Sequence, residues 1–162
     1  MNTLIIEILV GVVLVITMVV LLKLKRKKAI RNKLQSAVRH LILMNKLAIA
    51  NLEWFNNKMI GIDKKNRKLI FVQVQKDEVQ KLCIDLRLAS TCRVVKTNHD
   101  DEIFLQLQLK NSNDLTRINF YDSSSDHARN KTTLLEKARA WKERISLLMR
   151  GASHNFHLEY AC

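Results

Sequence analysis

The chain has 162 residues, with 28 Lys+Arg against 15 Asp+Glu and a formal net charge of +13. Three glycines and no proline exclude collagen-like, Pro-rich and Gly-loop nucleotide-binding architectures, and 48% hydrophobic content excludes disorder for most of the length. The positive excess calls for an acidic partner, either nucleic acid or the anionic face of a membrane.

Leu4 to Leu22 reads LIIEILVGVVLVITMVVLL, with Glu7 as its only charge. At ~1.5 Å per residue this run covers ~28 Å as a helix, close to the ~30 Å hydrocarbon core. The uncharged Met-Asn-Thr start and the lack of an Ala-x-Ala site argue for a retained anchor over a cleaved signal peptide. Lys23, Lys25, Arg26, Lys27, Lys28, Arg31 and Lys33 follow the run, and no Lys or Arg precedes it. The positive-inside rule therefore places the N-terminus outside and everything after the run in the cytoplasm, at an inner cell membrane. Residues 1–33 hold seven basic groups and one acidic group, a net +6, so nearly half of the charge excess is a topology signal.

From Ala29 to about Phe55, Ile30, Leu34, Val38, Leu41, Met44, Ala48, Leu52 and Phe55 recur at helical spacing. This predicts an amphipathic helix that could lie on the membrane, pack on the following domain or pair with a second copy. From about Asn57 the period changes to alternation. Ile60 and Ile62 precede a turn at Asp63-Lys64-Lys65-Asn66-Arg67, and Leu69 to Gln75 reads as a strand. Further alternating runs lie at Leu82–Leu88, Cys92–Lys96, Ile103–Leu109 and Thr116–Phe120. About six strands with one apolar face describe an antiparallel meander that buries one side. Ser123-Ser124-Ser125-Asp126 offers capping oxygens, and a helix is expected from about Arg129 to Met149, ending before Gly151. Leu134, Ala138, Trp141, Ile145 and Leu148 form its apolar stripe, suited to covering the sheet.

A run of antiparallel strands closed by one amphipathic helix bearing a Trp resembles the pleckstrin-homology-like family. The residues that carry the resemblance are the helix segment Lys137-Ala138-Arg139-Ala140-Trp141-Lys142-Glu143-Arg144-Ile145 and the basic hairpin from Met59 to Phe71. The resemblance implies a seven-stranded, partly open barrel capped by the final helix, with the Trp on the inner face. It also implies that Lys64, Lys65, Arg67 and Lys68 of the hairpin hold anionic headgroups or a partner. Clustered cations interact with an anionic leaflet at ~1 kcal/mol each.

The expected fold is thus α+β, with an anchor over 1–24, a basic and amphipathic segment over 25–56, the β domain with its helix over 57–150, and a tail over 151–162. Asn98 to Glu102 gathers metal-ligating types, but neighbours in one strand connection cannot converge on one ion. Ser123 to His127 has the types of a hydrolase triad without the separate elements that build one. His154-x-x-His157 with Glu159 and Cys162 lies in the tail without supporting residues. Cys83, Cys92 and Cys162 form no C-x-x-C pair and read as reduced thiols. Trp54-Phe55 is expected in the core. No catalytic residue, metal or cofactor is expected, and the partners expected are an anionic inner leaflet and a protein.

The leading expectation is a non-enzymatic, single-pass membrane protein presenting a cytoplasmic domain for protein or anionic-lipid contacts. A second is a pilin-like assembly subunit, because Thr3-Leu4-Ile5-Ile6-Glu7 before an apolar run is similar to the type IV pilin start. A third, nucleic-acid binding, lacks a stacking aromatic set on the strands.

Overall fold

The computed structural model describes residues 2–97, 101–110, 115–124 and 126–151, with backbone alone for 2–10. In chain order it holds α1 (Asn2–Asn45), β1 (Asn51–Phe55), β2 (Lys58–Asp63), β3 (Lys68–Gln75) and β4 (Glu78–Asp85). Then follow β5 (Ala89–Lys96), β6 (Glu102–Leu109), β7 (Leu115–Asp122), a 3-10 turn at Ala128–Asn130, and α2 (Lys131–Met149). The strands pair antiparallel in two sheets, β1-β2-β3-β4 and β5-β6-β7, so the class is α+β, and no barrel closes among the described residues.

The apolar run and the amphipathic segment are one continuous helix of 44 residues, ~66 Å long at ~1.5 Å per residue. The helix ends earlier than the apolar spacing suggests. Lys46 takes a positive φ of 49°, and Asn51–Phe55 turns away to form β1. The positions of Ala48, Leu52 and Phe55 matched a helical period by coincidence, and pairing with β2 from Asn51↔Ile62 to Phe55↔Lys58 prevails. Asn56, at φ 51°, makes the tight reversal that asparagine tolerates. Among the described residues there are therefore seven strands rather than six, and β1 is the addition. The boundary expected at Asn57 falls inside the β1–β2 hairpin.

The four-stranded sheet is buried on both faces at its centre, a departure from the one-sided sheet that alternation suggests. Every residue of β2 and the middle of β3 is buried. Ile60, Ile62, Leu69, Phe71 and Ile84 meet Ile103, Leu105, Leu107, Ile118 and Phe120 of the second sheet. On the opposite face, Met59, Ile70, Val72 and Val74 pack under Leu34, Ala37 and Val38 of α1 and under Leu47. Packing on the domain, one of the three placements expected for the amphipathic segment, is seen for Leu34, Ala37 and Val38. Burying such side chains contributes roughly 1.5–3 kcal/mol each, which accounts for a helix held over polar-looking sequence.

α2 lays Leu134, Ala138, Trp141 and Ile145 into the core between the sheets, as its stripe predicts, with Leu148 partly buried. Gly151, at φ 71°, follows the last turn and accommodates the left-handed backbone there. Of the residues expected to supply turn and capping oxygens, Ser124 bonds Asp122 in the turn and Ser125 lies outside the described residues. Asp126 points inward instead of toward the helix, and Asn130 at the N-terminus of α2 makes no side-chain cap bond. Among the described residues, no helix is long and apolar enough to cross a membrane. Leu4 to Val10 of the apolar run are outside the residues whose side chains are described.

Candidate functional site

Two cationic regions occupy opposite ends of the four-stranded sheet. The strand β2 runs from Lys58 at one end to Asp63 at the other, a separation of ~17 Å at ~3.3 Å per residue.

At the Lys58 end, the basic stretch of α1 passes over the β1–β2 turn and the loop that leads to α2. A cleft of about 660 Å³ opens there, lined by Lys27, Ile30 and Arg31 from α1, Trp54, Asn56 and Asn57 from the hairpin, and His127 and Asn130. The Arg31 guanidinium lies 5.1 Å from the centre of the Trp54 ring, a cation–π contact, and the indole N–H of Trp54 donates to the Asn56 carbonyl at 3.0 Å. Phe55, the next residue, points to the other face and stacks on Phe120 with centroids 4.9 Å apart. The core expectation holds for Phe55, whereas Trp54 stays half-buried under Arg31.

The floor of this cleft is a buried polar network. The Lys58 ammonium, fully buried, donates to Asp126 Oδ2 at 2.8 Å and to the Phe120 carbonyl at 3.2 Å. Asn56 Nδ2 donates to Asp126 Oδ1 at 2.5 Å, and the Asp122 backbone N–H donates to Oδ2 at 3.1 Å. Each buried charge has a partner, as it must in a low-dielectric interior. The Asp126 charge is therefore spent internally, and Lys27 and Arg31 dominate the mouth. On the other flank of α1, Lys33 bonds Asp77 at 2.9 Å and holds that carboxyl below its usual range. Asn57 donates to the Val74 carbonyl at 2.6 Å, while its buried Oδ1 has no partner.

At the Asp63 end lies the basic hairpin. Lys64 and Lys65 are exposed, and Arg67 and Lys68 half-exposed. The turn is built by Asp63, whose carboxylate accepts from Ala48 N–H at 2.8 Å and from Asn66 N–H at 2.9 Å and Asn66 Nδ2 at 2.7 Å. Burial alone would raise the Asp63 pKa, but the bonds from Asn66 and Ala48 hold it below the usual carboxylate range. The cluster Lys23 to Lys33 and the hairpin Lys64 to Lys68 are thus not brought together. The hairpin instead joins the β4–β5 turn, through Leu86 N–H to the Arg67 carbonyl at 2.8 Å, and the end of α2, where Gly151 sits against the Arg67 guanidinium.

No grouping of three metal-ligating side chains occurs among the described residues. Asn98, His99 and Asp100, and the tail residues His154, His157, Glu159 and Cys162, lie outside them. Cys92 is buried, and burial pushes its thiol up to about 11, far from a reactive thiolate, while Cys83 is exposed. Two structural residues escaped the sequence reading, Lys58 and Glu53. Their signal was a charge opening an otherwise apolar strand and another flanked by Leu52 and Trp54. No protein family matches this sequence, and neither a curated protein nor a solved structure is similar to it.

Proposed function

We propose that the protein is a non-enzymatic, single-pass membrane protein that presents a pleckstrin-homology-like cytoplasmic domain for protein or anionic-lipid contacts. One observation carries this reading. Val12 to Leu24 of α1 leaves its large apolar side chains exposed on all sides, Leu14 and Val15 at 63% and 64%, and the same helix continues without a break into the domain core. A helix that is apolar all round needs an apolar surrounding, and hydrocarbon is the surrounding of matching length for Leu4 to Leu22. Lys27 lies five residues beyond Leu22, ~7.5 Å along the axis, at headgroup depth. Seven antiparallel strands followed by a helix with a fully buried Trp141 support the pleckstrin-homology-like part. The mechanism is tethering, in which the anchor raises the local concentration of the domain for a weak ligand.

The test is extraction of native membranes. The full chain is expected to stay in the pellet through high salt and carbonate, and its recovery in the supernatant without detergent overturns the reading. Protease added to spheroplasts is expected to spare the domain. Digestion from outside would favour the pilin-like alternative.

A further inference from the structure

We propose that the end of the domain farthest from Lys27 and Arg31 is a docking surface for an acidic segment of a partner protein that also carries apolar side chains. The proposal deepens the tethered-domain reading by assigning the partner's chemistry and the face it meets, and it takes its orientation from that reading.

Two turns, the end of β6 and the end of α2 converge there. The β2–β3 turn meets the β4–β5 turn through Leu86 N–H and the Arg67 carbonyl, Lys110 N–H reaches the Leu88 carbonyl at 2.7 Å, and Gly151 abuts Arg67. This gathers Lys64, Lys65, Arg67, Lys68, Lys110 and Arg150 at one end. None of the six side chains makes an ion pair or hydrogen bond among the described residues. Among the nearby described carboxylates, Asp85 bonds Arg87 and faces Lys68 across the β3–β4 pair, Glu143 bonds Lys142 with Arg150 close by, and Asp63 is buried in its turn. Among the described residues the cations at this end outnumber the carboxylates beside them, and the resulting positive field favours an acidic partner.

The exposed apolar side chains decide what kind of partner. After residue 24, the large apolar residues that stay exposed among those described are Leu43, Met44, Leu52, Leu88, Leu115 and Leu147. All lie toward this end. Leu43 and Met44 close α1 beside Asp63, Leu52 pairs Gly61, Leu88 joins Lys110, Leu115 pairs Gln108, and Leu147 is in the last turn of α2. A nucleic acid would ask for exposed stacking aromatics, and this end offers exposed leucines instead. The bilayer that receives α1 is met at the other end. Exposed apolar side chains and cations at the same end match a protein segment with the complementary pattern.

The test uses the full chain in phosphatidylcholine nanodiscs and a fluorescent Glu-rich peptide with Leu at helical spacing, read by anisotropy. Lys64→Glu with Lys65→Glu and, separately, Lys110→Glu with Arg150→Glu are each expected to weaken binding about ten-fold. Replacing Leu by Ser in the peptide, or Leu88→Ser in the protein, is expected to weaken it about three-fold. Lys27→Glu with Arg31→Glu is expected to leave it unchanged. Failure to bind, equal binding of the Ser peptide, equal loss from the Lys27 and Arg31 pair, or tighter binding of an RNA oligonucleotide or of phosphatidylglycerol vesicles each overturns the proposal. If the chain does not enter nanodiscs, the anchor reading fails, and the same peptide titration in detergent still decides the surface.

Discussion

At the scale of single residues, the Lys58–Asp126 pair is a sensitive point. Removing one partner leaves the other charged and buried, so Asp126→Ala is expected to cost roughly 3–5 kcal/mol. The pair itself contributes less than that. Lys58→Met combined with Asp126→Leu removes both charges together, and thermal melts in detergent are expected to recover most of the loss. Asp63 links stability to pH. Its folded pKa lies below the unfolded value, so the stabilisation is present above about pH 4 and is lost as pH falls through the folded value. Asp122, held low by bonds from Ser124, acts in the same direction. The melting temperature is expected to hold from pH 7 to about pH 5 and to fall below about pH 4, with Asp63→Asn flattening that fall.

At the scale of elements, contacts between helices and the sheet edge are the sensitive points. Trp141, fully buried, donates from its indole N–H to Glu53 Oε2 at 2.8 Å, and Lys137 pairs with the same carboxylate. This ties α2 to β1, at the edge of the four-stranded sheet. Trp141→Phe is expected to lose roughly 1–2 kcal/mol with the hydrogen bond and Trp141→Ala roughly 3–5 kcal/mol, read by urea unfolding. Gly61 permits close approach within the sheet. A Cβ there would meet Leu52 Cδ1 at 2.9 Å, Ile70 Cγ1 at 3.2 Å and the Asn51 carbonyl at 3.3 Å. Leu52 is 47% exposed and can swing away, whereas Ile70 and the cross-strand carbonyl cannot, so Gly61→Ala is expected to destabilise by about 1 kcal/mol in the same unfolding measurement.

At the scale of the whole molecule, α1 and β1 belong to the folding unit. A fragment starting at Asn57 lacks β1 and exposes Met59, Ile70, Val72 and Val74, which α1 covers. It is expected to show weak near-UV dichroism and a broad melt, while a fragment starting at Arg26 melts cooperatively. The α2 stripe, the β2–β3 turn and the apolar start of α1 were all legible, because each is a local pattern of one period. The helix end at Asn45 and strand β1 were not, because 48–55 fits two periods and only pairing with β2 chooses between them. Asp126 looked like a cap for the same reason, since nothing local records that Lys58 lies beside it.

The sequence by itself determined that this is an α+β chain with an apolar helix, a basic stretch behind it, a run of alternating strands and a closing amphipathic helix. Those are consequences of periodicity and charge order, which the backbone obeys locally. Only the tertiary structure decided that α1 packs on the sheet, that the sheet is buried on both faces, and that the two cationic clusters lie at opposite ends. Residues distant in sequence meet only where burial of apolar area outweighs the entropy of ordering them, and that balance belongs to the folded chain as a whole.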